Sequence, residues 1–72
     1  MIAILADVPI NTIIKMHSNN TIYNIVYHEI PNRTFVSYWS TDGFLYEGFL
    51  WTSNYFLYRD FTILGTTKIL EV

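Results

Sequence analysis

Cysteine is absent from this 72-residue chain, and only two prolines and three glycines occur in it. The lack of cysteine excludes a disulfide framework and a cysteine-rich zinc site. A chain of this length folds as one small domain, here residues 1–72, and buries only about 60% of the surface that its unfolded form exposes. Without disulfides, such a domain depends on efficient packing or on a second subunit. We therefore expect a single domain that forms a homo-oligomer.

Charged residues are also scarce, at 14% of the chain, against roughly 25% in ordinary soluble domains. The four lysines and arginines and the six carboxylates are dispersed, and neither sign forms a run. Nucleic-acid binding draws most of its affinity from clustered cations, and a stacking platform for single strands needs a positive groove beside it. We therefore expect no nucleic-acid partner.

Long apolar runs are missing too. The longest, "MIAILA" at the start of the chain, is far shorter than the roughly 18 residues that span a bilayer. It has no basic region before it and no small-residue cleavage site after it, so it does not resemble a signal peptide. These features predict a cytoplasmic protein without a membrane partner.

The abundant residue types are those that favour β-strands. Aromatic residues make up 18% of the chain, and Ile, Val and Thr dominate the rest, which is the composition of a pleated sheet. Turn-forming clusters interrupt it at short intervals. They predict an all-β domain of five to seven short strands, with the ending "TTKILEV" as a candidate edge strand.

Two hairpins are predicted. "TIIKMH" and "TIYNIVYH" flank the asparagines at 19 and 20, and "TFVSYWS" and "FLYEGFLW" flank Gly43; asparagine and glycine accept the left-handed backbone that such turns need. Strict alternation places Tyr23, Ile25 and Tyr27 on one face of the first hairpin.

In the second hairpin, both faces carry large rings. Alternation separates Phe35, Ser37 and Trp39 from Val36 and Tyr38, and it separates Leu45, Glu47, Phe49 and Trp51 from Phe44, Tyr46, Gly48 and Leu50. An antiparallel sheet with one wet side alternates cleanly between apolar and polar residues, and this ribbon does not. Its second face therefore needs a cover, either a sheet that curls into a barrel with a bend at Gly48 or a partner.

Residues 5 to 64 resemble the small SH3-like β-barrels of phage-encoded accessory proteins. The matching features are "LADVPINTIIKM" before the first hairpin, the two hairpins, and the closing "DFTIL"; Asn11 stands where such barrels often have glycine. The resemblance implies a small SH3-like antiparallel barrel and a phage protein in the host cytoplasm. It carries over no site residue, because such barrels share no active site and fold does not imply function.

No catalytic or metal-binding constellation is predicted. His28 and Glu29 are neighbours on a strand and point to opposite faces, and no serine stands in a nucleophile elbow. His17 and His28 would meet across the first hairpin if it pairs fully, but two imidazoles are too few for a zinc site. The glycines lack the spacing of a phosphate loop. We expect a non-enzymatic protein without metal or cofactor.

The surplus of Tyr and Trp points to protein binding, because these residues dominate binding hot spots. Phe35, Phe49, Trp51 and Phe61 are assigned to the core, since a small barrel needs bulky inward residues. The predicted partner-binding residues have polar tips or charged neighbours, and they are Tyr38, Trp39, Tyr46, Tyr55 and Tyr58. The leading hypothesis is a protein–protein interaction module, an inhibitor or adaptor of a host protein.

Two alternatives stay open. The first is an oligomer that sequesters a nucleotide, with Arg33 or Arg59 pairing the phosphate and an aromatic ring stacking on the base. The second is a structural or assembly subunit that forms large symmetric oligomers. Loss of a bound nucleotide in Arg33→Ala or Arg59→Ala would distinguish the first of these from a protein binder.

Overall fold

The structure, a computed structural model, describes residues 4–29, 32–52 and 54–66. It confirms the all-β class: five antiparallel strands form one sheet in the order β4-β3-β2-β1-β5. The strands are β1 (Thr12–Met16), β2 (Ile22–Glu29), β3 (Arg33–Trp39), β4 (Leu45–Trp51) and β5 (Phe61–Thr66), and a 3₁₀ turn at Leu5–Asp7 precedes them. Beyond Thr66, the last residue of β5, the candidate strand in "TTKILEV" lies outside the described residues.

Both predicted hairpins are present. Asn20 in the β1–β2 turn and Gly43 in the β3–β4 turn have φ angles of 58° and 87°, so each takes the left-handed backbone that the sequence predicted. Asn11, at the position where the resembling barrels often have glycine, also lies in this region, with φ of 65°. No helix in the described part of the chain has the length and apolar character that crossing a bilayer requires.

The sheet is open, with β4 and β5 as its two edges, so the closed SH3-like barrel is not confirmed. The irregularities in strand pairing lie at positions that the sequence did not predict. The β2–β3 register shifts between Ile25 and Tyr27, which leaves Val26 as the extra residue of a bulge, and the β1–β5 register shifts beside Ile13. Gly48, predicted to bend β4, instead pairs regularly with Val36.

The core occupies one face of the sheet, here called the core face. Its buried hydrophobic residues come from β1, β2, β3, β5 and the segment before β1, and they are Leu5, Val8, Ile14, Met16, Tyr23, Ile25, Val36 and Phe61. Phe61 was correctly assigned to the core, and it is fully buried. β4 contributes no buried residue, so the buried core lies against the other four strands.

The segment from Ile4 to Val8 covers the core face and is fastened by its backbone. The Leu5 amide donates to the Tyr55 carbonyl at 3.0 Å, and the Ala6 amide donates to the Thr52 carbonyl at 3.1 Å. These bonds connect the start of the chain to the segment between β4 and β5. Leu5 and Val8 can therefore reach the core while the opposite face of the sheet has no such cover among the described residues.

Candidate functional site

The opposite face of the sheet carries six of the thirteen large exposed apolar side chains among the described residues. Residues paired directly across two strands project to the same side, so the register places on this side one residue in two from β1, β2, β3 and β4. We call it the aromatic face. Its apolar members are Ile13, Ile22, Tyr27, Phe35, Trp39, Leu45, Phe49 and Trp51, and its polar members are Lys15, Asn24, Glu29, Arg33, Ser37 and Glu47.

One end of this face is a row of rings across three strands. Tyr27 stacks on Phe35 with centroids 4.7 Å apart, and Phe35 lies 6.2 Å from Phe49. Phe49 in turn meets the edge of Trp51 at 5.3 Å. Aromatic pairs at these distances hold one another in place, so the row presents a fixed apolar surface.

Arg33 lies on this row of rings. Its guanidinium carbon is 5.3 Å from the Phe35 centroid and 5.2 Å from the Phe49 centroid, within the range of a cation–π contact. The same guanidinium forms an ion pair with Glu29. Its charge is therefore balanced locally, and the row has no net positive field for a polyanion.

The other end of the aromatic face forms a shallow groove of about 350 Å³. Trp39, Leu45 and Ile22 supply its large apolar side chains, and Asn24 and Ser37 line it as well. The side-chain oxygen of Asn24 is buried and has no hydrogen-bond partner. A buried polar atom without a partner is uncommon in native proteins, so the wall of this groove contains an unsatisfied acceptor.

The structure divides the predicted partner-binding residues among three places. Tyr38 packs against the core, and Tyr46 stacks on it with centroids 5.9 Å apart. Trp39 lies on the aromatic face and is 68% exposed. Tyr55 packs against the core cluster, whereas Tyr58 is exposed in the turn before β5. The five residues do not form one surface.

Two core assignments were wrong. Phe49 and Trp51 are 44% and 51% exposed, because alternation along β4 places both side chains on the aromatic face. Phe35 beside them is only partly buried. The sequence contained a signal for this, because alternation places Glu47 and Arg33 on the same face as these rings, and charged residues are almost never fully buried. Three of the five rings on the aromatic face are thus residues that the sequence analysis assigned to the core.

The two arginines proposed for a phosphate lie in different parts of the fold. Arg33 is on the aromatic face, whereas Arg59 is in the turn before β5, with its guanidinium 4.3 Å from the Phe56 ring and 2.7 Å from Asp60. The Arg59 guanidinium, with help from the Phe56 amide, holds the pKa of Asp60 below its ordinary value of 3.8. Each arginine already has a carboxylate partner.

The two histidines do not meet, contrary to the sequence prediction, because the β1–β2 register pairs Lys15 with Ile22. His17 therefore lies at the turn end of this hairpin, whereas His28 lies toward its open end. His17 contacts the Thr62 hydroxyl at 2.7 Å, on the β5 side. The His28 ring contacts the Thr34 hydroxyl and the Val8 carbonyl. Among the residues that the structure describes, no three His, Asp or Glu side chains come together as a metal site.

Comparison with protein-family models, with curated proteins and with solved structures found no match to this chain.

Proposed function

We propose that this chain is a non-enzymatic protein-binding module whose partner covers the aromatic face. The observation that carries the proposal is the exposure of six large apolar side chains on one side of one sheet. They are between 44% and 68% exposed, and they are Ile22, Tyr27, Trp39, Leu45, Phe49 and Trp51. The polar row of Asn24, Ser37 and Glu47 divides them into two apolar areas. Exposed apolar surface of this extent marks interaction sites.

The size of the surface supports this proposal. At about 200 Å² for each large side chain, half exposure of six residues leaves roughly 600 Å² of apolar area. A specific interface takes about 600–1,000 Å² from each partner. Two exposed tryptophans, Trp39 and Trp51, stand at the two ends of the patch, and tryptophan is enriched among the residues that dominate binding energy.

The finer parts of the proposal rest on the sequence resemblance. The chain is an SH3-like module, with the turn at Leu5–Asp7 bridging toward the segment after β4 in place of a closed ladder. It acts in the cytoplasm of a host cell as a phage-encoded inhibitor or adaptor of a host protein. Self-association through the same face is part of this proposal.

Sequestration of a nucleotide is the second candidate function. The position of Arg33 over two rings is suited to a stacked base, but both arginines are paired with carboxylates. A phosphate would have to displace Glu29 or Asp60, which would leave a carboxylate beside the phosphate. Assembly into large symmetric particles is the third candidate, and particle mass in solution tests it.

Site-specific photo-crosslinking tests the proposed function. A photoreactive phenylalanine analogue replaces Trp51 on the aromatic face, and in a matched variant it replaces Tyr58, which is more exposed but lies outside that face. We expect one discrete adduct from position 51 in cells that produce the protein, and none from position 58. Equal adducts from both positions, or none from either, would reject the aromatic face as the binding surface.

A further inference from the structure

The β4 strand leaves backbone groups unpaired along its outer side. Hydrogen-bonded pairs alternate with non-bonded pairs in an antiparallel ladder. Two backbone hydrogen bonds show which residues of β4 direct their N–H and C=O groups toward β3. The Ser40 amide donates to the Phe44 carbonyl, and the Thr52 amide donates to the Asn32 carbonyl, each at 3.0 Å. The even-numbered residues therefore bond to β3, and the backbone groups of the odd-numbered residues point away from the sheet.

Three of these odd-numbered residues, Leu45, Glu47 and Phe49, have no backbone partner among the described residues. Trp51 differs, because its carbonyl accepts from the Asn54 amide at 3.3 Å. The spacing of the unpaired groups, one residue in two along a strand, is the pattern that an extended polypeptide satisfies. No small ligand presents donors and acceptors at that repeat.

Apart from the charge of Glu47, this edge also lacks the usual protection against pairing. Natural edge strands carry lysine, proline or a bulge, or they are very short. β4 is seven residues long, contains neither lysine nor proline, and pairs with β3 without a register shift. The other edge, β5, does have an irregularity in its ladder. The regular β4 edge is therefore the one suited to strand addition.

The side chain of Glu47 indicates the chemistry of the added strand. It lies between Leu45 and Phe49 on the aromatic face, and the ion pairs of the described residues do not include it. Opposite charges on directly paired strand residues are favourable, and like charges are unfavourable. A second copy of β4 centred on Glu47 would place two carboxylates opposite each other.

We propose that β4 pairs with an extended segment of a protein partner that has lysine or arginine opposite Glu47 and apolar residues two positions to either side. The inference rests on the proposed function, because it specifies how the partner reaches the aromatic face. The added strand extends the sheet by one position, and its apolar side chains pack beside Leu45 and Phe49.

A peptide titration tests this inference. The probe is a fluorescent synthetic peptide of about nine residues, the length of an ordinary strand, with valine and threonine alternating and lysine in place of the central valine. We expect micromolar binding to the full chain by fluorescence anisotropy. A peptide with central glutamate should bind about fivefold more weakly.

Two variants at one position separate backbone pairing from side-chain effects. Glu47→Pro removes an N–H that points outward and leaves the ladder to β3 intact, and proline is tolerated at such edge positions. Glu47→Ala keeps the N–H. We expect Glu47→Ala to lose the preference for lysine and to bind both peptides, whereas Glu47→Pro binds neither. Circular dichroism of both variants checks that the fold is retained.

Equal binding of the peptide by Glu47→Pro and Glu47→Ala would overturn the edge proposal. If photo-crosslinking at position 51 still gave its discrete adduct, the aromatic face would remain as the binding surface. A concentration-dependent dimer that Glu47→Pro abolishes would assign the edge to a second copy and would also overturn the proposal. Absence of both the adduct and peptide binding would reject the proposed function together with this inference.

Discussion

Tyr27 and Phe35 stack face to face on the aromatic face, with their ring planes 17° apart, because a β-bulge turns Tyr27 to that side. Strict alternation would have kept Tyr27 with Tyr23 and Ile25 on the core face. Because of the extra residue, Val26, the later side chains of β2 project to the face opposite the one that strict alternation predicts. One inserted residue therefore adds a ring to the aromatic face and brings His28 to the core face.

Two phenylalanines should respond very differently to removal. Phe61→Ala empties a fully buried site and should lower the free energy of unfolding by about 3–5 kcal/mol, most of what a domain of this size has. Phe49→Ala removes a ring that is 44% exposed, and it should cost about 1 kcal/mol or less. Urea unfolding of both variants measures the difference. A similar loss in the two would show that the aromatic face is part of the core.

His28 connects the segment before β1 to the sheet. Its Nε2–H donates to the Val8 carbonyl, and its Nδ1 accepts from the Thr34 hydroxyl at 2.8 Å. His28→Ala leaves these buried groups without partners, which should cost about 1–3 kcal/mol in chemical denaturation. His17→Ala is the control, because His17 is exposed. If the control were equally destabilising, the connection to Val8 would not be the cause.

Tyr58 has a positive φ angle of 68°, which is unfavourable for a bulky side chain. Its ring is 77% exposed, so little packing is lost when it is replaced. Asparagine accepts this backbone more readily, and Tyr58→Asn should raise the free energy of unfolding by up to about 1 kcal/mol. A lower melting temperature in the variant would mean that the ring makes contacts worth more than the strain.

The lowered pKa of Asp60 makes the free energy of unfolding depend on pH in the acid range. Because the folded-state pKa lies below the ordinary value of 3.8, the unfolded chain binds more protons between the two values. This contribution to stability is present above 3.8 and is lost as the pH falls through the folded-state pKa. Asp60→Asn removes it, so the melting temperature of the variant should fall less between about pH 5 and pH 2.

Arg59→Ala tests the cause of the same effect. The Arg59 guanidinium is the largest influence on Asp60, so its removal should also flatten the acid side of the stability profile. An unchanged slope in both variants would contradict the assignment, and another carboxylate would then govern the acid response.

The strand class, the two hairpins and the left-handed residues Asn20 and Gly43 could be predicted because local side-chain chemistry decides them. The two faces of β3 and β4 were also separated correctly. The bulges were not predictable, since an extra residue such as Val26 has no local signature and is stabilised by the pairing around it. The candidate site was found only in part, because burial depends on what packs against each face: of its exposed rings, Trp39 was assigned to the partner-binding residues, whereas Phe49 and Trp51 were assigned to the core.

The sequence by itself determined that the ribbon has two apolar faces, since alternation in a strand is a local property. It could not determine which face is buried, because burial depends on what packs against the sheet. The tertiary structure decided this when Leu5 and Val8 joined Ile25 and Val36 on one side. The opposite side was left with Phe49 and Trp51 exposed, and that choice placed the candidate binding surface.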